Sequence, residues 1–304
     1  MPLEPGQKTV LITGCSPGGI GNELCKAFHD RGLHVIATAR NPAVLADFVG
    51  KPGFTCLQLD VTNEKSISAC VEEVATLTGG TLDILVNNAG RTHTVPATDL
   101  DMDEVRETFE ANVFGVMAMV KGFIHQLISA HGLIINISSA SSIVPYPFAA
   151  AYSASKCAVN GYSRTLRQEL RPYGVRVMVA ITGTVRTNIN LQTARQLPEN
   201  SLYRPIEDIY RWRLTFSRTT PSSVEPADYA RTLVADALRP EWPVFLRGIL
   251  GWGRPDWHYA GGLAKFVWFG SCVGEWLLDT VIYPMFKLNT LETKLKQTDG
   301  QKLN

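Results

Sequence analysis

A tyrosine and a lysine, Tyr152 and Lys156, are spaced so that they could carry out acid–base chemistry together. They lie near the start of a predicted helix, and residues four apart share one helix face. A tyrosine hydroxyl titrates near pH ~10, but a cation one turn away favours the phenolate and lowers the pKa. The spacing alone equally describes an unrelated surface pair. Ser139 lies at the end of an upstream strand, and Asn112 lies in the preceding helical region. These two residues favour the interpretation that Tyr152 is a general acid.

A glycine-rich turn after the first predicted strand could bind phosphate. The run VLITGCSPGGIG (10–21) ends a strand, places several glycines and then opens a helix. Glycine lets the backbone approach a pyrophosphate, and the amides and dipole of a helix N-terminus stabilise the anion. The alternative is a turn that binds no ligand. The residues assigned to this turn are Gly14, Gly19, Ile20 and Gly21, and Ser16 is assigned as a second phosphate contact beside the basic residue described next.

The end of the second predicted strand indicates which nicotinamide cofactor is bound. NAD sites place Asp or Glu there to hold the ribose hydroxyls, whereas NADP sites use a basic residue. The run HVIATAR (34–40) has no carboxylate and ends at Arg40, whose guanidinium can bind a 2′-phosphate. The sequence therefore predicts NADP(H). The alternative is that Arg40 is a solvated loop charge.

Polar residues also end the third and fourth predicted strands. Asp60 fits a helix cap as well as it fits a contact with the adenine. Asn88 is expected to hold the backbone in place, and the small Ala89 and Gly90 leave room for a ligand. We therefore assign Asp60, Asn88, Ala89 and Gly90 to the cofactor site.

Short apolar runs alternate with helical patterns over the first 240 residues. The predicted strands are Val10–Thr13, His34–Thr38, Phe54–Leu59, Asp83–Asn87, Leu133–Ser138 and Val175–Ile181. This alternation is typical of βαβ units with right-handed connections over a parallel sheet. The predicted fold is α/β: a Rossmann-type doubly wound parallel sheet in a single catalytic domain, residues 1–240, followed by an apolar extension, 241–304.

The composition argues against several other classes of protein. The 304 residues include 29 Lys and Arg against 28 Asp and Glu, and this net charge of +1 argues against a nucleic-acid partner. Hydrophobic residues make up 45% of the chain, which excludes a disordered protein. The six histidines show no metal-ligand spacing, so we expect no metal site.

These motifs, in this order, resemble the short-chain dehydrogenase/reductase family over about residues 8–240. The matching segments are TGCSPGGIG (13–21), Asp60, NNAG (87–90), the Asn of NVFG (112–115), Ser139 and YSASK (152–156). The resemblance implies that Tyr152 is the general acid/base and that Lys156 lowers its pKa and binds the nicotinamide ribose. It also implies that Ser139 polarises the substrate carbonyl and that Asn112 holds a water of the proton relay. Ser138 ends the same strand, but the spacing to Tyr152 selects Ser139.

Two features depart from the usual family pattern. The glycine loop is one residue longer, and we still expect it to bind phosphate. Thr182-Gly183 stands where the family has Pro-Gly, and we expect this change to loosen the turn. The residues that follow, Val185 and Thr187, are still expected to meet the nicotinamide.

Within the family, the sequence is similar to fungal 1-acyldihydroxyacetone-phosphate reductases and, more weakly, to 17β-hydroxysteroid dehydrogenases. The shared features with the former include the ITG segment (181–183), a stretch at 197–203 and a long tail. This implies an NADPH-dependent oxidoreductase that reduces the ketone of a hydrophobic acyl lipid, polyketide or terpenoid, in lipid metabolism or secondary-metabolite biosynthesis. An oxidative alcohol dehydrogenase and a non-catalytic NADP(H)-binding scaffold remain alternatives.

Three loops are expected to contact the substrate, at residues 91–96, 143–148 and 188–218. The second loop carries apolar side chains that suit a hydrophobic ketone, namely Ile143, Val144, Tyr146 and Phe148. The third carries four arginines, Arg204, Arg211, Arg213 and Arg218. They could hold a phosphate or carboxylate, or they could form the solvated face of a helix.

The extension is more apolar than the catalytic motifs explain. All six tryptophans lie at or after Trp212. The apolar runs 263–269 and 276–286 are interrupted by glycine, proline and charged residues, so we do not expect a membrane-spanning helix. Aromatic residues near Lys265 and Lys287 suit a membrane surface, and a substrate lid or a dimer or tetramer contact are alternatives. The expected location is intracellular, in the cytoplasm or on the cytosolic face of the endoplasmic reticulum or lipid droplets.

Overall fold

Seven parallel strands form one sheet in the part of the chain that the computed structural model describes, residues 3–4, 6–188, 195–242 and 253–302. The sheet order is β3–β2–β1–β4–β5–β6–β7. The strands are β1 (Thr9–Ile12), β2 (His34–Ala39), β3 (Phe54–Gln58), β4 (Ile84–Asn87), β5 (Leu133–Ile137), β6 (Arg176–Thr182) and β7 (Trp257–Ala260). The predicted Rossmann-type fold and its six predicted strands are confirmed, each strand to within a residue.

Helices cover both faces of this sheet. They are α1 (Ile20–His29), α2 (Glu64–Thr78), α3 (Met102–Phe109), α4 (Gly115–Ser129), α5 (Ala150–Leu170), α6 (Glu207–Thr219), α7 (Pro226–Ala237), α8 (Ala264–Val273), α9 (Glu275–Met285) and α10 (Leu288–Lys302). Alternate residues along a strand point to opposite faces of the sheet. Val10 packs with α1 and α7, whereas Leu11 packs with α2, α4 and α5. Because both faces are buried, the strands are continuous apolar runs.

Local sequence signals set the ends of the helices. The Asn63 side chain caps α2 by accepting a hydrogen bond from the Ser66 amide at 3.1 Å, and Gly79 ends the helix with a left-handed φ of 68°. Between α3 and α4 the chain makes a π-helical turn, Glu110–Phe114, which carries Asn112. Such turns often occur at functional sites.

The sheet order reverses between β1 and β4. The chain moves outward from β1 to β3 on one side and from β4 to β7 on the other. Loops that leave the carboxyl ends of β1 and β4 therefore diverge and leave a crevice between them, which is where open α/β sheets bind ligands.

The segment after residue 240 contributes one strand to the same sheet. Within it, β7 pairs in parallel with β6, from Val179 opposite Trp257 to Thr182 opposite Ala260. The division at residue 240 therefore does not separate two structural units, although α8, α9 and α10 do follow the last strand. The expectations for Trp252 and for residues 189–194 lie outside the described residues.

The Thr182-Gly183 turn is fastened to β7 and the residues after it, and the expected loosening is not seen. The Gly183 amide donates to the Ala260 carbonyl at 2.8 Å, and Thr184 and Gly262 exchange two backbone hydrogen bonds of 2.9 Å. The Thr182 hydroxyl lies 2.6 Å from the Tyr229 hydroxyl. Thr182 thus supplies a hydrogen-bonding group that proline at this position would lack.

We expect Gly183→Ala to destabilise the protein because the backbone of the tail lies against this glycine. An added Cβ would stand 2.0 Å from the Gly262 carbonyl oxygen. We expect the free energy of unfolding, measured with urea, to fall by about 3 kcal/mol. The control is Gly161→Ala in α5, where an added Cβ meets nothing within 4 Å, and stability should rise by about 0.5–1 kcal/mol. Unaltered stability of Gly183→Ala would contradict this packing.

One helical stretch among the described residues, Met102–Ser129, is long and apolar enough to cross a membrane by length and composition alone. It comprises α3, the π turn and α4. Met119, Phe123 and Leu127 of α4 are fully buried in the core against the sheet. The stretch is therefore a core helix of this fold.

Candidate active site

A cavity of about 790 Å³ opens at the carboxyl ends of β1, β4, β5 and β6. It collects nearly all the residues that the sequence assigned to catalysis and cofactor binding. These are Gly14, Ser16, Gly19, Ile20, Arg40, Asp60, Asn88, Ala89, Gly90, Ser139, Tyr152, Lys156, Val185 and Thr187. Gly21 and Asn112 do not line the cavity. Both lie just behind the residues that do, and they fix the position of those residues.

The glycine loop is shaped so that backbone, and not side chains, faces the cavity. Gly14 has a φ of +73°, and a Cβ there would lie 2.9 Å from the Ala89 Cα. A Cβ on Gly21 would lie 2.4 Å from the Gly14 carbonyl oxygen, so Gly21 allows α1 to pack beneath the loop. The helix begins after Gly19 with no side-chain cap. Its first amides are therefore available to an anion.

Asn88 and Asp60 make hydrogen bonds that fix the loops on the cofactor side of the cavity. The side-chain Nδ2 of Asn88 donates to the carbonyl oxygens of Thr13 at 2.8 Å and Gly14 at 3.0 Å, as expected for a residue that holds the backbone in place. The Asp60 carboxylate accepts from the amide and the hydroxyl of Thr62 at 3.0 and 2.7 Å. The helix-cap alternative for Asp60 is wrong because Asn63 caps α2.

Arg40 stands at the end of β2, on the rim of the cavity. Its backbone carbonyl accepts from the Gln58 amide at 3.1 Å, while its side chain is exposed. Among the described residues, no carboxylate forms an ion pair with it. The guanidinium is thus available to a phosphate at the position where an NAD site would carry an acid.

Tyr152 and Ser139 both line the cavity. The Ser139 hydroxyl oxygen accepts from the amide and the hydroxyl of Ser141 at 3.2 and 3.0 Å. Ser138 instead lies 3.5 Å from the Lys156 carbonyl oxygen. Burial raises the pKa of Tyr152, and Ser139 and Arg213 oppose that rise. The hydroxyl therefore stays protonated at neutral pH, which suits an acid.

Lys156 lies beside Tyr152 on the same face of α5. It is buried, its Nζ donates to the Ile137 carbonyl oxygen at 2.9 Å, and it stands 5.8 Å from the centre of the Tyr152 ring. Burial lowers the pKa of Lys156 to about 8. The groups that lower the pKa of Tyr152 here are Ser139 and Arg213. The effect that the resemblance implies for Lys156 stays a prediction.

Asn112 connects the loop after β4 to α5. Its Oδ1 accepts from the Arg91 amide at 2.8 Å, and its Nδ2 donates to the Arg91 carbonyl and the Ser155 hydroxyl, each at 3.0 Å. These contacts use the side-chain amide to hold the position of the helix that carries Tyr152. Its part in a water relay stays a prediction.

The two residues assigned to the nicotinamide follow β6. Val185 pairs with Val224, and the Thr187 amide donates to the Val185 carbonyl at 2.9 Å. Both are buried and line the cavity. The departure from Pro-Gly therefore leaves them at the site.

The substrate half of the cavity differs in part from the expectation. Val144 and Tyr146 line it, as expected. Phe148 does not, because it packs edge-on against Tyr203 and Tyr210. Ile143 does not line the cavity either, and it packs behind the wall in the apolar cluster that contains Val144. The remaining wall comes from the third predicted substrate loop and from the two apolar runs of the extension, for which a substrate lid was one alternative. Its side chains are Phe216, Leu263, Phe266, Val267, Ile282 and Met285.

The four arginines of the 204–218 segment do not act together. Arg204 and Arg211 form ion pairs with Glu207 at 2.8 and 2.9 Å. Arg213 alone of the four lines the cavity. The spacing along α6 could have indicated this, because Ile209, Arg213 and Phe216 share the buried face.

Comparison with known proteins agrees with this site. Residues 8–198 match the model of the family described as short chain dehydrogenase. The chain belongs to the short-chain dehydrogenase family and is an oxidoreductase.

Individual relatives extend the likeness over most of the chain. It is 48% identical to the NADPH-dependent 1-acyldihydroxyacetone phosphate reductase of Schizosaccharomyces pombe, over 66% of this chain and 69% of the relative. It is 36% identical to the short-chain dehydrogenase RED1 of Pyricularia oryzae, over 95% and 98%. A short-chain dehydrogenase from Streptomyces avermitilis superposes with a TM-score of 0.74 at 27% identity, over 95% and 98%. The last two likenesses include the tail.

Proposed function

We propose that this protein is an NADP(H)-dependent oxidoreductase that reduces the ketone of a hydrophobic substrate to a secondary alcohol. The observation that carries the proposal is the meeting of Ser139, Tyr152 and Lys156 in one cavity whose other half is walled by apolar side chains. A tyrosine acid beside a serine donor suits an oxygen atom that gains a proton, as a carbonyl does on reduction.

The cofactor is NADP(H), and the residues present fit it. The glycine loop and the first amides of α1 suit the pyrophosphate, Arg40 and Ser16 suit the 2′-phosphate, and Lys156 suits the nicotinamide ribose. A relative named for NADPH dependence supports the same choice. When bound, NADPH supplies the hydride that reduces the carbonyl carbon.

The chain itself controls the oxygen of the substrate. Tyr152 donates its proton to the carbonyl oxygen as negative charge develops there, and Ser139 donates a hydrogen bond to the same oxygen. Because burial raises the pKa of Tyr152, the protonated acid is the form present at neutral pH. The oxidative alternative would use the phenolate of the same residue as a base.

The pH dependence of reduction should follow Lys156. Burial gives this lysine a pKa of about 8; it is charged below that pH and loses its charge above it, while Tyr152 stays protonated. We expect kcat/KM for the ketone to fall about tenfold per pH unit above about pH 8. In Lys156→Arg the residual rate should lack this fall, because arginine keeps its charge. A wild-type rate that is constant to about pH 10 would contradict the assignment.

The apolar walls support a substrate with a hydrocarbon part, such as an acyl lipid, a polyketide or a terpenoid. Phe216, Phe266 and Ile282 are among the side chains that line this half. The likeness to a reductase named for 1-acyldihydroxyacetone phosphate supports an acyl lipid, and hence a role in lipid metabolism. Secondary-metabolite biosynthesis is the alternative setting.

The experiment is a panel of ketones of increasing chain length, assayed by the loss of NADPH absorbance. We expect kcat/KM to rise with chain length until the cavity is filled, because each buried methylene stabilises the complex by about 0.8 kcal/mol. NADPH binding without turnover of any ketone would support a scaffold and contradict the proposal.

An exposed aromatic patch on α8 and α9 supports a membrane-surface location. Trp268, Phe269, Val273, Trp276 and Tyr283 each leave between 41% and 66% of their surface exposed. Such side chains suit the lipid interface. We therefore propose that the protein works in the cytoplasm or on the cytosolic face of the endoplasmic reticulum or lipid droplets.

Vesicle sedimentation of the full chain tests this location. Binding to phospholipid vesicles that is lost when Trp268 and Trp276 are both changed to Ser supports a membrane surface. A stable dimer or tetramer that the same changes dissociate, with no vesicle binding, assigns the patch to a subunit contact.

A further inference from the structure

A buried arginine lies in the substrate half of the cavity. Arg213, in α6, is 3% exposed. Its Nε donates to the Pro147 carbonyl oxygen at 3.0 Å, and its Cζ stands 3.7 Å from the centre of the Tyr146 ring. Among the described residues, no carboxylate forms an ion pair with it.

This arrangement leaves most of the guanidinium unused. A guanidinium carries five N–H donors, and Arg213 engages one of them with a described acceptor. Burying a charge without an opposite charge is costly, and buried charges in proteins are normally paired. Arg204 and Arg211 of the same segment follow that rule through Glu207. Arg213 departs from it at a position that faces a cavity.

The neighbours of Arg213 fix it as a rigid donor. The ring of Tyr146 packs against one face of the guanidinium. The centre of the Phe286 ring, at the end of α9, lies 5.6 Å from the Cζ of Arg213. Phe216, one turn further along α6, contacts both rings. A planar guanidinium held in this way is suited to bidentate binding of a carboxylate or phosphate.

We propose that Arg213 forms an anion-binding subsite, and that the ketone substrate carries a carboxylate or phosphate group which this side chain binds. The inference rests on the proposed function and narrows it to amphipathic anionic ketones. The apolar part of the substrate lies against the walls formed by α6, α8 and α9, while the anionic group pairs with the buried charge.

Binding of non-reacting probes tests the subsite without turnover. We would measure the affinity of octanoate, octyl phosphate and octanol for the NADP⁺-loaded full-length protein by calorimetry. Because a hydrogen bond to a charged group contributes strongly, we expect at least one anion to bind about 10-fold more tightly than octanol. Equal affinity of all three probes would overturn the proposal.

Variants then assign the preference to this residue. Arg213→Met keeps apolar contact with Tyr146 and should abolish the anion-to-octanol ratio, and Arg213→Lys should reduce it only in part. The matched control is Arg211→Met, on the same helix but exposed, which should leave the ratio unchanged. If Arg213→Met weakens all three probes equally, the arginine is structural and the proposal fails.

Turnover separates this inference from the proposed function. For a medium-chain keto acid and its methyl ester, the wild type should prefer the acid, and Arg213→Met should lower the acid-to-ester ratio of kcat/KM by about 10-fold. An effect of Arg213 on the pKa of Tyr152 alone would lower both rates and leave the ratio constant, which overturns the inference. Anion binding that depends on Arg213 without reduction of any ketone would support the subsite and count against the proposed function.

Discussion

Replacing Tyr152 with phenylalanine is expected to lower kcat for ketone reduction by about 1,000-fold while NADPH still binds with its normal affinity. The substitution removes the proton donor and leaves the ring, and general acid catalysis contributes about 10²–10⁴-fold. Because Ser139 and the cavity walls remain, substrate binding should change little. Turnover is measured by NADPH oxidation, and binding by the change in NADPH fluorescence.

Tyr162→Phe is the matched control for this experiment. Tyr162 stands on the same helix but packs beside the core cluster on the other side of the sheet from α1. The same atom is removed there, and we expect turnover within about twofold of the wild type because the hydroxyl is remote from the cavity. A Tyr152→Phe protein that keeps more than about a tenth of wild-type turnover would be inconsistent with an acid at this position.

Reversing the charge of Arg40 should produce the second largest effect. Arg40→Asp replaces a phosphate ligand with a carboxylate that repels the 2′-phosphate and can bind ribose hydroxyls instead. We expect kcat/KM for NADPH to fall by about 100-fold, since charge-assisted hydrogen bonds are lost. The rate with NADH should rise, so that the preference between the two cofactors narrows or reverses.

Arg31→Asp controls for the change in net charge. Arg31 is exposed just after α1 and does not line the cavity. Its reversal should leave the ratio of NADPH to NADH rates unchanged. If both variants alter the ratio alike, the effect is a long-range one of net charge and Arg40 is not the phosphate ligand.

The sequence predicts the catalytic half of the site well because its signals are local. Tyr152 and Lys156 share a helix face by spacing alone, and the glycine loop follows from its position between a strand and a helix. The strands are buried on both faces, so they are visible as apolar runs. Gly21 was placed on the cofactor for the same local reason, and only the three-dimensional packing shows that it lies beneath the Gly14 carbonyl.

The substrate half depends on contacts between distant parts of the chain, which local patterns do not encode. The strand β7 is only four residues long and follows a change in composition. Its sequence therefore shows no clear hydrophobic periodicity from which a strand could be predicted. Arg213 lies beside the rings of Tyr146 and Phe286, which come from positions far apart in the sequence. Phe148 has the same apolar character as Val144 but faces a different cluster.

The structure gives the extension after residue 240 a more definite role than its composition suggests. Its strand β7 completes the sheet beside β6, and Leu263, Phe266 and Ile282 from the residues after that strand line the cavity. Of the three roles considered for this segment, closing the substrate half is the one that these contacts support. The exposed aromatic side chains of α8 and α9 lie outside that wall and are left for a membrane or a subunit.

Transfer of deuterium from NADPH that carries two deuterium atoms at C4 tests the central claim most directly. With a hydrophobic ketone as substrate, we expect the wild-type protein to yield a secondary alcohol that carries one deuterium on the carbinol carbon, at a rate reduced about 1,000-fold in Tyr152→Phe. A protein that binds NADPH but gives no labelled alcohol from any ketone of the panel would contradict the account.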